Sequence, residues 1–174
     1  MRRPSLALAV GLCVALAMSP VTADEKRVSD PKDLGYNLDV KWVSHDHGDR
    51  HRMVRHGIGS YGRWRDRGLR GYTMRLELNT NKTNAFERSV RIDYRDGRLR
   101  AAMYKGKFMD VKVPGRVRMW RPTRRTIWVS FDADMLRDGI KRYRWSISLY
   151  QNGECPGSCD FDGAPDNGWI RHRL

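Results

Sequence analysis

The chain has 174 residues, with 34 lysines and arginines against 20 aspartates and glutamates and a formal charge of +14 at pH 7. That length gives room for one domain and not two. Its longest apolar run, from Leu6 to Met18, is too short for a permanent bilayer-spanning helix, which needs roughly 20 residues.

The run follows Met1-Arg2-Arg3 and is closed by Ser19-Pro20-Val21-Thr22-Ala23. A positive start, a short apolar stretch and small residues at Val21 and Ala23 predict a cleavable signal peptide over residues 1–23, and hence a secreted, extracellular protein. Pro4 breaks the twin-arginine pattern, and Cys13 lies inside the apolar run behind Leu12, where a lipid anchor is not expected. Cleavage after Ala23 removes two arginines and no acid, leaving +12 on 151 residues. A field of that size attracts polyanions and speeds encounters with them. Residues 24–35 read as a short N-terminal segment, and 36–174 as the domain.

Through the domain, period-two alternation replaces helical periodicity. Leu38, Val40 and Trp42 alternate with Asp39 and Lys41. The stretch His45-Asp46-His47-Gly48-Asp49-Arg50-His51 follows. Imidazoles at that spacing can ligate zinc or copper, but Asp, Gly and His between two strands also make an ordinary solvated hairpin turn, which is the reading preferred here. A strand is expected near Met53–Ile58, then a long mobile loop over 57–71, rich in glycine and arginine. In it Arg63, Arg65, Arg67 and Arg70 surround Trp64. Tyr72, Met74, Leu76 and Leu78 alternate with Thr73, Arg75 and Glu77.

Asp96-Gly97 is a two-residue turn signal between alternating runs. Counting outward pairs Tyr94 with Leu99, Asp93 with Arg100, Ile92 with Ala101 and Val90 with Met103. A slip of one residue would expose Ile92 and Tyr94, so the register is well specified. Further strands are expected over 108–113 and 117–120, with a helical turn at 133–137. Ile127, Val129 and Phe131 alternate with Trp128 and Ser130, and Tyr143, Trp145, Ile147 and Leu149 with Arg144, Ser146 and Ser148. The whole predicts an all-β, antiparallel, jelly-roll-like sandwich of eight to ten strands.

Cys155 and Cys159 flank Pro156-Gly157-Ser158. An even pair in an exported chain, joined by turn residues, predicts a disulfide that fixes a local loop. Beyond it, Asp160, Asp162, Asp166 and Asn167 crowd into one loop. Calcium takes six to eight oxygens and can be held by such a set, while Asp-Gly, Pro-Asp and Asn-Gly are equally the turn formers that cap a sheet edge.

The order of motifs resembles a known group. Leu38-Asp39-Val40 and Val43-Ser44-His45 bracket a first strand; Glu77-Leu78-Asn79-Thr80 ends another; Tyr143-Arg144-Trp145-Ser146, Cys155 to Cys159, Asp160 and Ala164-Pro165-Asp166-Asn167-Gly168 follow. This layout resembles exported actinobacterial β-sandwich proteins of uncharacterised function, similar to DOMON domains and family 9 carbohydrate-binding modules. The resemblance spans roughly residues 36–174. It implies a sandwich fold and an extracellular location, and supplies no catalytic residue. Asn79 stands where the group usually has aspartate, and no Met–His pair is spaced as axial haem ligands.

No nucleophile elbow and no paired carboxylates are visible, so an enzyme is not expected. Trp120 and Trp128 fall on the faces opposite their strands' apolar sets, and with Arg63, Trp64, Arg65 and Arg67 form the candidate ligand-binding group. Aromatics beside arginines stack on sugar rings and hold acidic groups. The expected partner is a polysaccharide or an anionic envelope polymer, without specific nucleic-acid recognition and with membrane contact only through the transient signal peptide. The competing reading is a structural or interaction protein of the cell envelope whose basic surface serves retention alone.

Overall fold

A computed structural model describes residues 26–35, 37–47, 52–81, 85–106, 110–151, 160–166 and 168–174, with backbone only at His47, Asp160 and Phe161. The expected signal peptide, His51, Asn167, Cys155 and Cys159 lie outside the described residues.

Twelve strands are present among the described residues: β1 (Lys26–Ser29), β2 (Val40–His47), β3 (Met53–Ser60), β4 (Tyr72–Asn79), β5 (Arg88–Arg95), β6 (Arg98–Lys105), β7 (Val111–Lys112), β8 (Arg118–Thr123), β9 (Thr126–Asp132), β10 (Arg142–Gln151), β11 (Asp160–Ala164) and β12 (Ile170–Arg173). They form two antiparallel sheets. One runs β1-β2-β3-β9-β8; the other runs β11-β10-β4-β5-β6-β7, with β12 also paired to β10. The excess over eight to ten comes from short strands such as β1 and β7. β1 belongs to the stretch set apart as an N-terminal segment, yet its backbone pairs with β2 from Lys26 to Ser29.

Alternation places the core. Val43, Val54, Ile58, Ile127, Val129 and Phe131 point inward from the first sheet, and Met74, Leu76, Leu78, Val90, Ile92, Met103, Trp145, Ile147 and Leu149 from the second. Each large apolar side chain removed from water contributes about 1.5–3 kcal/mol. The Asp96-Gly97 hairpin has the expected register, Tyr94 opposite Leu99 and Val90 opposite Met103. Both turn residues have positive φ, 50° and 80°, as a type I′ connection requires. Asp93 and Arg100 face each other in register, but the ion pairs formed are Arg95–Asp93 at 2.9 Å and Arg100–Asp96 at 2.6 Å.

Two expectations are corrected. The loop does not begin at Gly57, because residues 57–60 belong to β3 and a 3-10 turn at Asp66–Leu69 follows, with Leu69 buried. Nor is the stretch from His45 a solvated turn at its start: β2 continues through His47, and His45 points into the core. The reason is the same in both cases. Val43 and His45 share one face of β2, while Val54, His56 and Ile58 share one face of β3, so burial carries the pairing further than turn propensity suggests.

Candidate polyanion-binding cleft

Between edge strand β8 and the β5–β6 hairpin lies a cleft of about 1140 Å³. The pattern that buries Val90, Ile92 and Met103 turns Arg91, Arg95, Arg98 and Arg100 outward to line one side. Arg116, Arg118 and Lys112 add to the lining, giving, among the described residues, seven cations against two acids, Asp93 and Asp96. Both acids are already engaged by Arg95 and Arg100. The cleft continues into a recess of about 690 Å³, where Arg65, Arg121 and Arg124 join one further acid, Asp66, itself paired with Arg121. Arg98, Leu99, Met119 and Trp120 line both parts. Beyond these three pairs, the described lining of both parts keeps an excess of positive charge.

Trp120, 40% exposed, is the aromatic at the centre of this surface. It stands opposite Trp128 in the β8–β9 register, with ring centroids 6.1 Å apart and planes 14° from parallel. Trp42 follows at 6.5 Å from Trp128, with Arg27 at 4.2 Å over its ring. This row crosses β3 where the strand has Gly57 and Gly59. A Cβ on Gly59 would fall 2.1 Å from Trp42 ring atoms, and one on Gly57 2.9 Å from the Trp128 ring. The glycines make room for indoles to lie on the sheet. Guanidinium forks match carboxylate and phosphate oxygens, and indole faces suit sugar rings, so the arrangement can hold an acidic polymer by both chemistries.

Of the residues singled out from the sequence, the fold brings Trp120 and Trp128 together and sets Arg65 beside Trp120 in the recess. Trp64 is only 6% exposed; its Nε1 donates to Ser60 Oγ at 3.1 Å and Arg121 covers its ring at 3.8 Å. Its ring thus packs as a wall, where an open stacking surface was expected. Arg63 and Arg67 are exposed and line a separate hollow of about 400 Å³ beyond that indole.

Asp162 is buried, with Oδ2 accepting from Val40 N and Oδ1 from Gly163 N, each at 2.7 Å. The first bond ties β11 to β2, across the two sheets. Burial raises the Asp162 carboxyl to about 6. Nearby Asp30 is raised to about 7, first by burial and then by Asp166 and Asp162. Asp166 is exposed, and the Asp160 side chain is outside the described set. Among the described residues no three His, Cys, Asp or Glu side chains gather as a metal site requires. Asp162 itself acts as a fastening between strands; the Asp160 side chain and Asn167 of the candidate calcium loop lie outside the described residues.

A buried histidine cluster escaped the sequence reading. His45 of β2, His56 of β3 and His172 of β12 meet between the sheets, with His45–His172 centroids at 4.2 Å. Trp145 Nε1 donates to His45 Nδ1 at 3.2 Å, and His56 Nε2 lies 2.8 Å from the Tyr143 hydroxyl. Burial, then the neighbouring His172 and His45, holds His56 well below the ordinary imidazole range. Each histidine occupies an inward slot of its strand's alternation, which is the signal that marks it. Arginines on strand faces are expected to hold the polymer, but those of β5 and β6 are not singled out by the sequence, because outward slots beside a turn look like ordinary solvated positions.

No protein-family model matches this chain, and no curated protein matches it.

Proposed function

We propose that the protein is an exported, non-catalytic binding domain for an acidic carbohydrate or related anionic polymer of the cell envelope, held in the cleft between β8 and the β5–β6 hairpin. The carrying observation is Trp120, an exposed indole in a cleft where, among the described residues, seven cations outnumber two acids and an excess of five positive charges remains. The arginines draw a polyanion in from a distance, and the indole gives it a stacking contact that salt does not screen. The row Trp120–Trp128–Trp42 extends that contact across the first sheet. Export rests on the N-terminal sequence.

Co-sedimentation with an acidic polysaccharide and with its neutral counterpart, across roughly 50 to 300 mM salt, tests the reading. The acidic polymer should be retained through the series and the neutral one held weakly. Complete release near physiological salt would favour a basic surface serving retention alone.

A further inference from the structure

At the far edge of the second sheet from the cleft, β10 and β12 place Arg142 opposite Arg173 and Arg144 opposite Arg171. Tyr143 and His172, paired between them, turn inward and are buried, so the four arginines share the outer face. Like charges directly opposite each other weaken a sheet, and here two such pairs come in succession. Among the described residues, Arg142, Arg171 and Arg173 form no ion pair with a carboxylate. Arg144 lies 5.7 Å from the Trp169 ring centre. Glu87, just before β5, has its Oε2 bound by Thr80 N and Oγ1 at 2.7 and 2.8 Å.

A cavity of about 600 Å³ opens at this corner. Arg137, Arg142, Arg144 and Arg171 line it, with Thr80 and the inward Tyr143–His172 pair among the other walls, and among the described residues its lining contains no acid. Its volume is within the range of sites that enclose small molecules, about 300–1,000 Å³. Arginine presents paired N–H donors in the geometry of a phosphate edge.

We infer that this corner is a second, separate anion site, which takes a small molecule bearing a phosphate group with two or more negative charges. The opposition of Arg142 and Arg173, neither of which pairs with a carboxylate among the described residues, is a cost in the empty protein that such a ligand relieves at Arg142. The site does not rest on the cleft: it uses different strands, different arginines and a separate cavity.

Thermal unfolding of the full chain with inorganic pyrophosphate, at ionic strength held constant with sodium chloride, tests this. At saturating ligand, pyrophosphate should raise the melting temperature by about 4 °C or more. Arg171→Gln and Arg142→Gln should each remove most of that rise, and Arg118→Gln in the cleft should keep it. Without ligand, R142Q should melt no lower than wild type, because it removes the like-charge opposition to Arg173. The site is refuted if pyrophosphate gives no rise beyond sodium chloride, if R171Q and R142Q respond as wild type does, or if R118Q alone loses the response. None of these results depends on whether a polymer binds the cleft.

Discussion

The hydroxyl of Tyr143 lies 2.8 Å from Nε2 of His56, and both side chains are sealed between the sheets. His56 is held neutral because burial and two neighbouring imidazoles oppose its charging. In the unfolded chain it takes a proton near pH 6.5. The folded value is depressed, so its contribution is complete above about pH 6.5 and is lost as pH falls below it. His56→Phe removes that dependence while stranding the Tyr143 hydroxyl, at a cost of about 1–3 kcal/mol. Urea titrations should show wild type ahead of H56F at high pH, with the gap narrowing towards pH 5. A pH-independent gap would contradict the neutral assignment.

Asp30 works in the other direction. Its folded value, about 7, stands above the unfolded carboxyl, so the folded protein keeps a proton that the unfolded chain gives up. Stability is therefore lost as pH rises from about 4 to 7. Its backbone is fixed independently, by Asp30 N to Lys41 O at 2.9 Å and by the Tyr61 hydroxyl to Asp30 O at 2.7 Å. Asp30→Asn should leave the fold intact and stabilise it increasingly above pH 5. An Asn variant that loses ground as pH rises would overturn this.

The glycines of β3 answer to the indoles above them. Gly59→Ala puts a methyl where Trp42 ring atoms lie 2.1 Å away, so the indole must leave its place. A loss of about 1–3 kcal/mol is expected, together with a changed tryptophan emission spectrum. Gly35→Ala meets nothing within 4 Å and serves as the neutral comparison. Equal stability and spectra for the two variants would show that the row is not seated on β3.

The Asp96-Gly97 turn should be as sensitive. Gly97 has φ +80°, so Gly97→Val should cost on the order of 1 kcal/mol or more, read as a lower urea midpoint. An unchanged midpoint would mean the turn rearranges freely.

Much of this architecture is written in period-two alternation. The Val90–Met103 register could be counted outward from Asp96-Gly97 because one face is buried and a slip is costly. Trp120 and Trp128 were legible as outward residues for the same reason. Trp64 was not, because its burial depends on Ser60 and on Arg121, a residue 57 positions away in the chain. His45 read as turn chemistry because local propensity cannot see His172, which reaches it from the last strand. The cleft itself joins β8 of one sheet to the hairpin of the other, a proximity that only the packing of the sheets creates.

The most direct measurement is the affinity of wild type, Trp120→Ala and the double variant Arg98→Gln/Arg118→Gln for one acidic polysaccharide across a salt series. Removing Trp120 should weaken binding by roughly tenfold at every salt concentration, as loss of a stacking contact does. Removing the two arginines should weaken binding most at low salt and flatten its salt dependence. A W120A protein that binds as wild type does throughout the series would contradict the cleft as the binding site.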